Sequence, residues 1–170
     1  LGALISDELL ISKEKVELLA SISKTDLISD SVNEFPELQG IMGSHLSNAQ
    51  GFDKDIVDAI KEQYLPIGLN STVSKKPFSI TISLTDRIDT LVGFFGVNEK
   101  PSSSKDPYGL RRIALGIIRI IIENKKDLKI SDLISYSSNF YLDQGFNFSN
   151  DKLQKDILNF LRDRFKYYLK

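Results

Sequence analysis

The chain has 170 residues, of which 41% are hydrophobic and 26% charged, which is enough for one domain with its own core. It has no cysteine and one histidine, which excludes disulfides, thiolate metal sites and any centre that needs two imidazoles. The longest apolar stretch, residues 113–122, is interrupted by Gly116 and Arg119 and is too short for a membrane span. No secretory signal is visible. The sequence predicts a single soluble intracellular domain over residues 1–170, with no membrane partner.

The formal net charge of −1 hides an asymmetry along the chain. Residues 1–69 carry 5 Lys+Arg against 12 Asp+Glu, whereas residues 70–170 carry 17 against 11. Within the basic part, residues 100–126 hold seven cations against two carboxylates. Such a local excess steers a polyanion toward one face. The alternative is a solvated surface with internal ion pairs.

Helical periodicity begins near the start of the chain. Apolar residues at helical spacing predict one or two helices over 9–22 and further helical turns over 26–35. They also predict helices over 37–46 and 53–64, the second of them capped by Asp53. Gly40 and Gly43 lie three apart in a helical segment, which favours a close helix crossing.

The basic part of the chain continues the helical pattern. Pro77 opens a helix that runs to Gly96, although the alternation over 81–84 also fits a strand. Asp106 followed by Pro107 predicts an N-cap and a first helical residue, with the helix reaching about residue 124. Two more helices are predicted over 131–142 and 151–169. The predicted fold class is all-α, a multi-helix bundle.

Asp86 and Asp89 lie three residues apart, so on a helix both carboxylates project from the same side. Adjacent carboxylates bind a divalent cation or share a proton. Alternatively they hold cations of the next helix, for which Arg111 and Arg112 are the candidates. We favour the second interpretation, a structural acidic pair.

Residues 102–116 join a hydroxyl-rich loop, a helix N-terminus and two arginines. Helix N–H groups, the helix dipole and guanidinium groups together favour phosphate, although Asp106 at the cap competes for the same donors. The candidate nucleic-acid contacts are Lys105, Arg111, Arg112 and Arg119, with internal pairing expected to consume some of the arginines. No nucleophile–base pattern, P-loop or dinucleotide fingerprint is present, so no catalytic residue is predicted.

Four ordered blocks of the chain resemble the beta subunit of the bacterial two-subunit, heterotetrameric glycyl-tRNA synthetase. They are E-F-P-E-L-Q-G-I-M-G (34–43), A-I-K-E-Q-Y-L-P (59–66), T-D-R-I-D-T-L-V-G-F-F (85–95) and K-D-P-Y-G-L-R-R-I-A-L-G (105–116). The resemblance covers nearly the whole chain, although that subunit is several times longer. We therefore expect an internal segment excised from a longer beta subunit.

The resemblance implies part of an ATP-dependent ligase that charges tRNA with glycine. In that family the alpha subunit carries the aminoacylation site, and the beta subunit supplies most tRNA contacts. The implied partners are therefore the alpha subunit and tRNA(Gly), in the cytoplasm. ATP and Mg serve the whole enzyme, and no cofactor is expected in this segment.

This region of the family also resembles a degenerate helical HD-type domain, a fold that metal-dependent phosphohydrolases use. Those enzymes need a His, a His-Asp pair and a distant Asp, whereas here Thr25 precedes Asp26 and His45 is the single histidine. No metal site is therefore expected. Two alternatives remain open: a phosphohydrolase that uses Asp26, Asp86 and Asp89, and a purely structural module between subunits.

The chain departs from the family pattern at two places near the candidate site. Three serines, 102–104, stand where the family has Thr-Gly-Ser, and Tyr108 and Gly109 replace the usual Phe-Ala. The loss of the loop glycine weakens the case for a very close backbone approach to phosphate. The cationic character is unchanged.

Overall fold

The computed structural model describes residues 1–102 and 104–169, so Ser103 of the predicted hydroxyl-rich loop lies outside the described residues. The described residues form α-helices, loops and short 3-10 turns without a β-strand, which confirms the all-α prediction. The strand alternative for 81–84 is wrong, because a helix runs through these residues. The HD-like arrangement stays a prediction. In the described ranges, no helix has both the length and the apolar character needed to cross a membrane.

The chain divides into two compact units. The N-terminal unit comprises Gly2–Leu65 and Ser74–Ser83, and the C-terminal unit comprises Leu1, Pro66–Val73 and the chain from Leu84 onward. One helix, Pro77–Gly96, contributes residues to both. The single domain over 1–170 stays a prediction.

Two helices of the N-terminal unit begin where a serine side chain caps them. Its helices are α1 (Gly2–Leu9), α2 (Lys13–Ile22), α3 (Asp30–Glu34), α4 (Ile41–Ala49), α5 (Lys54–Glu62) and residues 77–83 of α6 (Pro77–Gly96). Ser12 caps α2 and Ser29 caps α3, each by accepting a backbone N–H. Asp53 stands at the N-cap of α5 as predicted, but its carboxylate pairs with Lys15 Nζ at 2.6 Å and does not cap the helix.

The start of α4 depends on two glycines and a buried carboxylate. Gly40 adopts a φ of +79°, which favours glycine. A Cβ added at Gly43 would lie 2.8 Å from Ile60 Cγ2, so the predicted close crossing is confirmed as the approach of α4 to α5. Asp26 Oδ2 accepts hydrogen bonds from the N–H groups of Gly40 at 2.7 Å and Gly43 at 3.1 Å. Asp26 thus caps α4 from within the unit.

Glu62 at the end of α5 joins this helix to the segment that precedes α6. Its carboxylate accepts hydrogen bonds from the hydroxyl groups of Ser74 and Ser79. It also forms an ion pair with Lys76 Nζ at 2.6 Å. Lys76 also lies 3.0 Å from Asp58 Oδ2. Burial raises the pKa of Glu62, but the hydrogen bonds and the charge of Lys76 outweigh burial and lower it.

The core of each unit consists of apolar residues from facing helices. In the N-terminal unit the buried cluster is Leu19, Ile56, Ala59, Ile60 and Ile82. The C-terminal unit contains the rest of α6 with α7 (Leu110–Glu123), α8 (Ile130–Asp143) and α9 (Asn150–Tyr168). Its buried apolar residues include Leu84, Ile88, Leu91, Ala114, Ile117, Leu133, Ile134, Leu153, Ile157 and Leu161.

A buried arginine lies inside the C-terminal unit, between α6 and α7. Arg87 is 7% exposed, and its guanidinium donates to the carbonyl of Pro66 at 3.1 Å. A Cβ added at Gly116 would lie 2.5 Å from Arg87 Nε, so the absence of a side chain at Gly116 makes room for the guanidinium. Burial lowers the pKa of Arg87 to about 10, although the neighbouring charge of Asp86 raises it.

We predict that Gly116→Ala destabilises the protein. Alanine is intrinsically the better helix former by about 1 kcal/mol, but its methyl group would overlap the buried side chain of Arg87. The expected net loss is about 1–3 kcal/mol in the free energy of unfolding, measured by urea denaturation. The control is Gly68→Ala, since an added Cβ there meets no atom within 4 Å. A Gly116→Ala variant as stable as the parent would contradict this account.

We also predict a pH-dependent contribution from Glu62. Glu62→Gln removes the ion pair with Lys76 and lowers stability at pH 7 by about 1–2 kcal/mol. The folded-state pKa of Glu62 lies below its ordinary value of 4.5, so its contribution is complete above that value. The contribution is lost as the pH falls through the folded-state pKa.

The stability difference between the parent and Glu62→Gln therefore narrows below about pH 4. Urea denaturation at several pH values measures this difference. Glu37→Gln is the matched control, because Glu37 is exposed on the same unit. A difference for Glu62→Gln that is constant down to pH 3 would show that the charge of Glu62 contributes nothing.

Candidate nucleic-acid interface

Residues 97–109 connect α6 to α7 and are fixed near their start. Glu99 N donates to the carbonyl of Phe94 at 2.8 Å, and Asn98 turns the chain with a φ of +62°. Lys100 Nζ then forms an ion pair with Asp156 of α9 at 2.6 Å. Lys100, one of the seven cations of residues 100–126, is therefore paired with a carboxylate of the C-terminal unit.

Asp106 caps α7, but not at the position that the sequence predicts. The helix begins at Leu110 and not at Pro107, because Gly109 takes a left-handed φ of +66° and interrupts the helical path. Asp106 Oδ1 accepts from Leu110 N at 2.8 Å, and Oδ2 accepts from Arg111 N at 3.0 Å. The carboxylate therefore occupies donors that a phosphate at this N-terminus would need.

Arg111 ties the loop to α7. Its side chain is 30% exposed, and its guanidinium donates to the carbonyl of Ser102 and lies 3.8 Å from Asp106 Oδ2. The peptide N–H of Lys105 in turn donates to Ser102 Oγ at 3.2 Å. The loop is therefore held against the first turn of the helix.

Lys105 and Arg112 are the cations that remain accessible at this junction. Both side chains are exposed, and neither has an acidic partner among residues 1–102 and 104–169. The guanidinium of Arg112 lies over Gly109, where an added Cβ would be 2.9 Å from its terminal nitrogen. We call Lys105, Arg112 and the turn between them the basic junction.

Arg119 does not belong to this surface. It is 7% exposed, and its guanidinium donates to the carbonyls of Gly68 at 2.6 Å and Ser71 at 2.9 Å. It also pairs with Glu123 at 2.7 Å. Its guanidinium holds Pro66–Val73 to α7, and the assignment of Arg119 to the tRNA-binding set stays a prediction that these contacts do not favour.

Asp89 has hydroxyl partners that the sequence did not predict. Asp89 links α6 to α8, because its carboxylate accepts from Ser137 Oγ at 2.8 Å and Tyr141 OH at 3.1 Å. Asp86 lies beside Arg87. Arg111 lies instead 3.8 Å from Asp106 Oδ2, and the pairing of the two carboxylates with Arg111 or Arg112 stays a prediction.

The bond from Tyr141 to Asp89 affects the titration of the phenol. Burial is the largest cause, and together with the charge of Asp89 it raises the pKa of Tyr141 to about 12. Asp89 thus connects two helices through two hydroxyl donors.

A metal centre built on the acidic residues has no geometric support. Within the described ranges, no group of three or more His, Cys, Asp or Glu side chains could hold a metal ion. Asp26 instead caps α4, and His45 lies exposed on the same helix. The residues that the phosphohydrolase alternative would use serve other contacts.

An aromatic pair that includes a residue of the basic junction was not predicted from the sequence. Tyr108 stacks on Phe94 of α6, with ring centroids 4.3 Å apart and planes inclined by 28°. Tyr108 remains 47% exposed. The signal available in the sequence was an aromatic residue placed between cations in K-D-P-Y-G-L-R-R.

Comparisons with known proteins identify the family. The profile of the glycyl-tRNA synthetase beta subunit family matches residues 1–170. The glycine--tRNA ligase beta subunit of Rickettsia canadensis is 46% identical over 153 residues, which cover 90% of this chain and 22% of that protein. The corresponding subunit of Phenylobacterium zucineum is 46% identical over 124 residues, covering 73% of this chain and 18% of that protein.

A third relative, from Rhodospirillum centenum, is 40% identical over 157 residues, covering 92% of this chain and 21% of that protein. The chain thus spans about a fifth of the length of these relatives. Its match to the family profile, however, extends over every block on which the sequence resemblance was based. The chain belongs to the glycyl-tRNA synthetase beta subunit family.

Proposed function

We propose that this chain is a segment of the beta subunit of glycine–tRNA ligase that helps to bind and position tRNA(Gly). In this proposal the alpha subunit carries out the ATP-dependent glycylation, and this segment has no catalytic residue. Membership of the family supports the assignment to the ligase. The tRNA role rests on the basic junction.

The observation that carries the tRNA role is the availability of Lys105 and Arg112. Both are exposed without an acidic partner in the described part of the chain, so contact with a phosphate breaks no internal ion pair. Arg112 offers a planar fork of donors that suits phosphate oxygens, and Lys105 offers a mobile point charge. Such contacts supply affinity and position the RNA without reading its sequence.

Internal hydrogen bonds also hold the basic junction in place. Asp106 fixes the first turn of α7, and Arg111 holds the loop against it. A preorganised surface loses less conformational entropy on binding than a loose one. Arg111 therefore contributes to tRNA binding by positioning Lys105. Its own guanidinium is engaged with the carbonyl of Ser102 and with Asp106.

The proposal includes partners and cofactors that lie outside this chain. Its partners are the alpha subunit and tRNA(Gly), in the cytoplasm, and ATP and Mg act in the whole enzyme. Residues 1–102 and 104–169 offer the tRNA phosphates side-chain cations.

A second role, as a structural module within the complex, is favoured by an apolar groove on the C-terminal unit. Its walls come from α7, α9 and the first residue of α8, and include Ile118, Ile122, Ile130, Leu158 and Phe165. Ile122 is 41% exposed and Phe165 is 38% exposed. Apolar side chains in such a groove gain stability when another polypeptide covers them.

We predict that Lys105→Ala and Arg112→Ala each weaken tRNA(Gly) binding by the full alpha–beta complex. Each variant loses one phosphate contact, so the slope of log K against log salt concentration falls by about one unit. Filter binding or fluorescence anisotropy over a salt series measures this slope. Glycine activation without tRNA stays unchanged, because the adenylate forms on the alpha subunit.

The matched control is Lys61→Ala, which removes an exposed cation from α5 of the N-terminal unit. It should leave both the affinity and the salt slope unchanged. If Lys105→Ala, Arg111→Ala and Arg112→Ala all behave like this control in a folded complex, the tRNA role is wrong. The structural module then becomes the better account.

Substitution of Arg119 should affect the stability of the protein and not its binding of tRNA. Arg119→Ala removes the guanidinium that donates to the carbonyls of Gly68 and Ser71 and pairs with Glu123, and we expect it to lower the free energy of unfolding by about 3 kcal/mol. Arg119→Lys recovers little of this loss, because one ammonium group cannot reach three acceptors as a guanidinium does. Urea denaturation measures the loss. A stable Arg119→Ala complex with a reduced salt slope would instead show that Arg119 contacts tRNA.

A further inference from the structure

Tyr108 presents an aromatic ring at the turn that leads into α7. One side of the ring rests on Phe94, with centroids 4.3 Å apart, while 47% of the residue stays exposed. Its hydroxyl group has no hydrogen-bond partner among the described residues. The ring is thus supported from one side and accessible to an incoming group.

The ring lies within the basic junction. Tyr108 directly precedes Gly109, over which the guanidinium of Arg112 lies, and Lys105 is exposed three residues earlier. The Asp106 cap and the tie from Arg111 hold this turn in place. Surfaces that bind single-stranded nucleic acid typically combine an exposed aromatic ring with flanking cations, as this turn does.

We propose that Tyr108 is a stacking platform for an unpaired nucleobase, so that the basic junction takes single-stranded RNA. This inference rests on the proposed tRNA role and specifies which kind of RNA element binds. Within the site, the base stacks on the accessible side of the ring. The flanking phosphates contact Lys105 and Arg112.

An unpaired nucleotide fits this surface better than a paired stem. In an A-form helix the bases are stacked on each other, and the deep major groove does not admit side chains. A ring fixed in a short turn therefore reaches a base only where the strand is open. In a tRNA this condition is met in the loops and at the unpaired end.

The test compares two RNA probes on the full alpha–beta complex, a single-stranded octamer and a blunt octamer duplex. Tyr108→Ala should weaken binding of the single strand by about 5- to 100-fold. It should leave binding of the duplex within twofold of the parent. The salt slope for the single strand should stay unchanged, because the substitution removes no charge.

Three further variants separate stacking from support of the loop. Tyr108→Phe keeps the ring and should bind like the parent. Tyr108→Leu still covers Phe94 but has no π face, so it should bind the single strand as weakly as Tyr108→Ala. The matched control is Tyr136→Ala on α8, since Tyr136 is 37% exposed and lies beside Phe140 with ring centroids 5.0 Å apart. Tyr136→Ala should leave the binding of both RNA probes unchanged.

Two results would overturn the stacking role. One is single-strand binding by Tyr108→Leu that equals the parent. The other is an equal loss on the single strand and the duplex, because the substitution then acts through the shape of the loop. In either case, a reduced salt slope for Lys105→Ala and Arg112→Ala leaves the proposed tRNA role in place. If those two slopes are also unchanged, both proposals fail.

Discussion

The carboxylate of Asp106 is the constraint on which the candidate surface depends. It accepts the N–H groups of Leu110 and Arg111, and so fixes where α7 starts and in which direction its first side chains leave. Its charge lies at the positive end of the helix dipole, where an anion is stabilised. The same bonds close the helix N-terminus to an external anion. In the proposed tRNA role, the RNA therefore contacts side-chain cations and a ring, and not backbone amides.

Arginine has two different uses in the C-terminal unit. Arg87 and Arg119 are buried and donate to carbonyls of Pro66–Val73, a segment without regular secondary structure. Buried carbonyls need donors, and a guanidinium supplies several in one plane. Arg112 lies at the surface instead. The excess of positive charge over residues 100–126 therefore overstates the charge offered to a ligand.

Most helices were predictable because their apolar residues repeat at the helical period, and the glycines of α4 correctly indicated a close crossing. The start of α7 was not predictable, because Asp106 caps this helix across a turn in which Gly109 has a positive φ. The spacing of Asp86 and Asp89 gives a shared helix face but does not say which helix lies opposite. The cation pattern likewise gives charge but not burial, so it included Arg119. The stacking of Tyr108 on Phe94 joins a residue of the α6–α7 connection to a residue of α6 and has no local signature.

The anchoring of Pro66–Val73 by Arg119 has a consequence for the order of folding during synthesis. Gly68 precedes Arg119 by 51 residues, so the segment leaves the ribosome well before the side chain that will hold it. It also separates Gly2–Leu65 from Ser74–Ser83, which belong to the same unit. The carbonyl of Gly68 has a local donor in Ser71 Oγ, but the carbonyl of Ser71 has its guanidinium donor only once α7 has been made. The connection between the two parts of the N-terminal unit therefore gains its final shape only after much of the C-terminal unit has been translated.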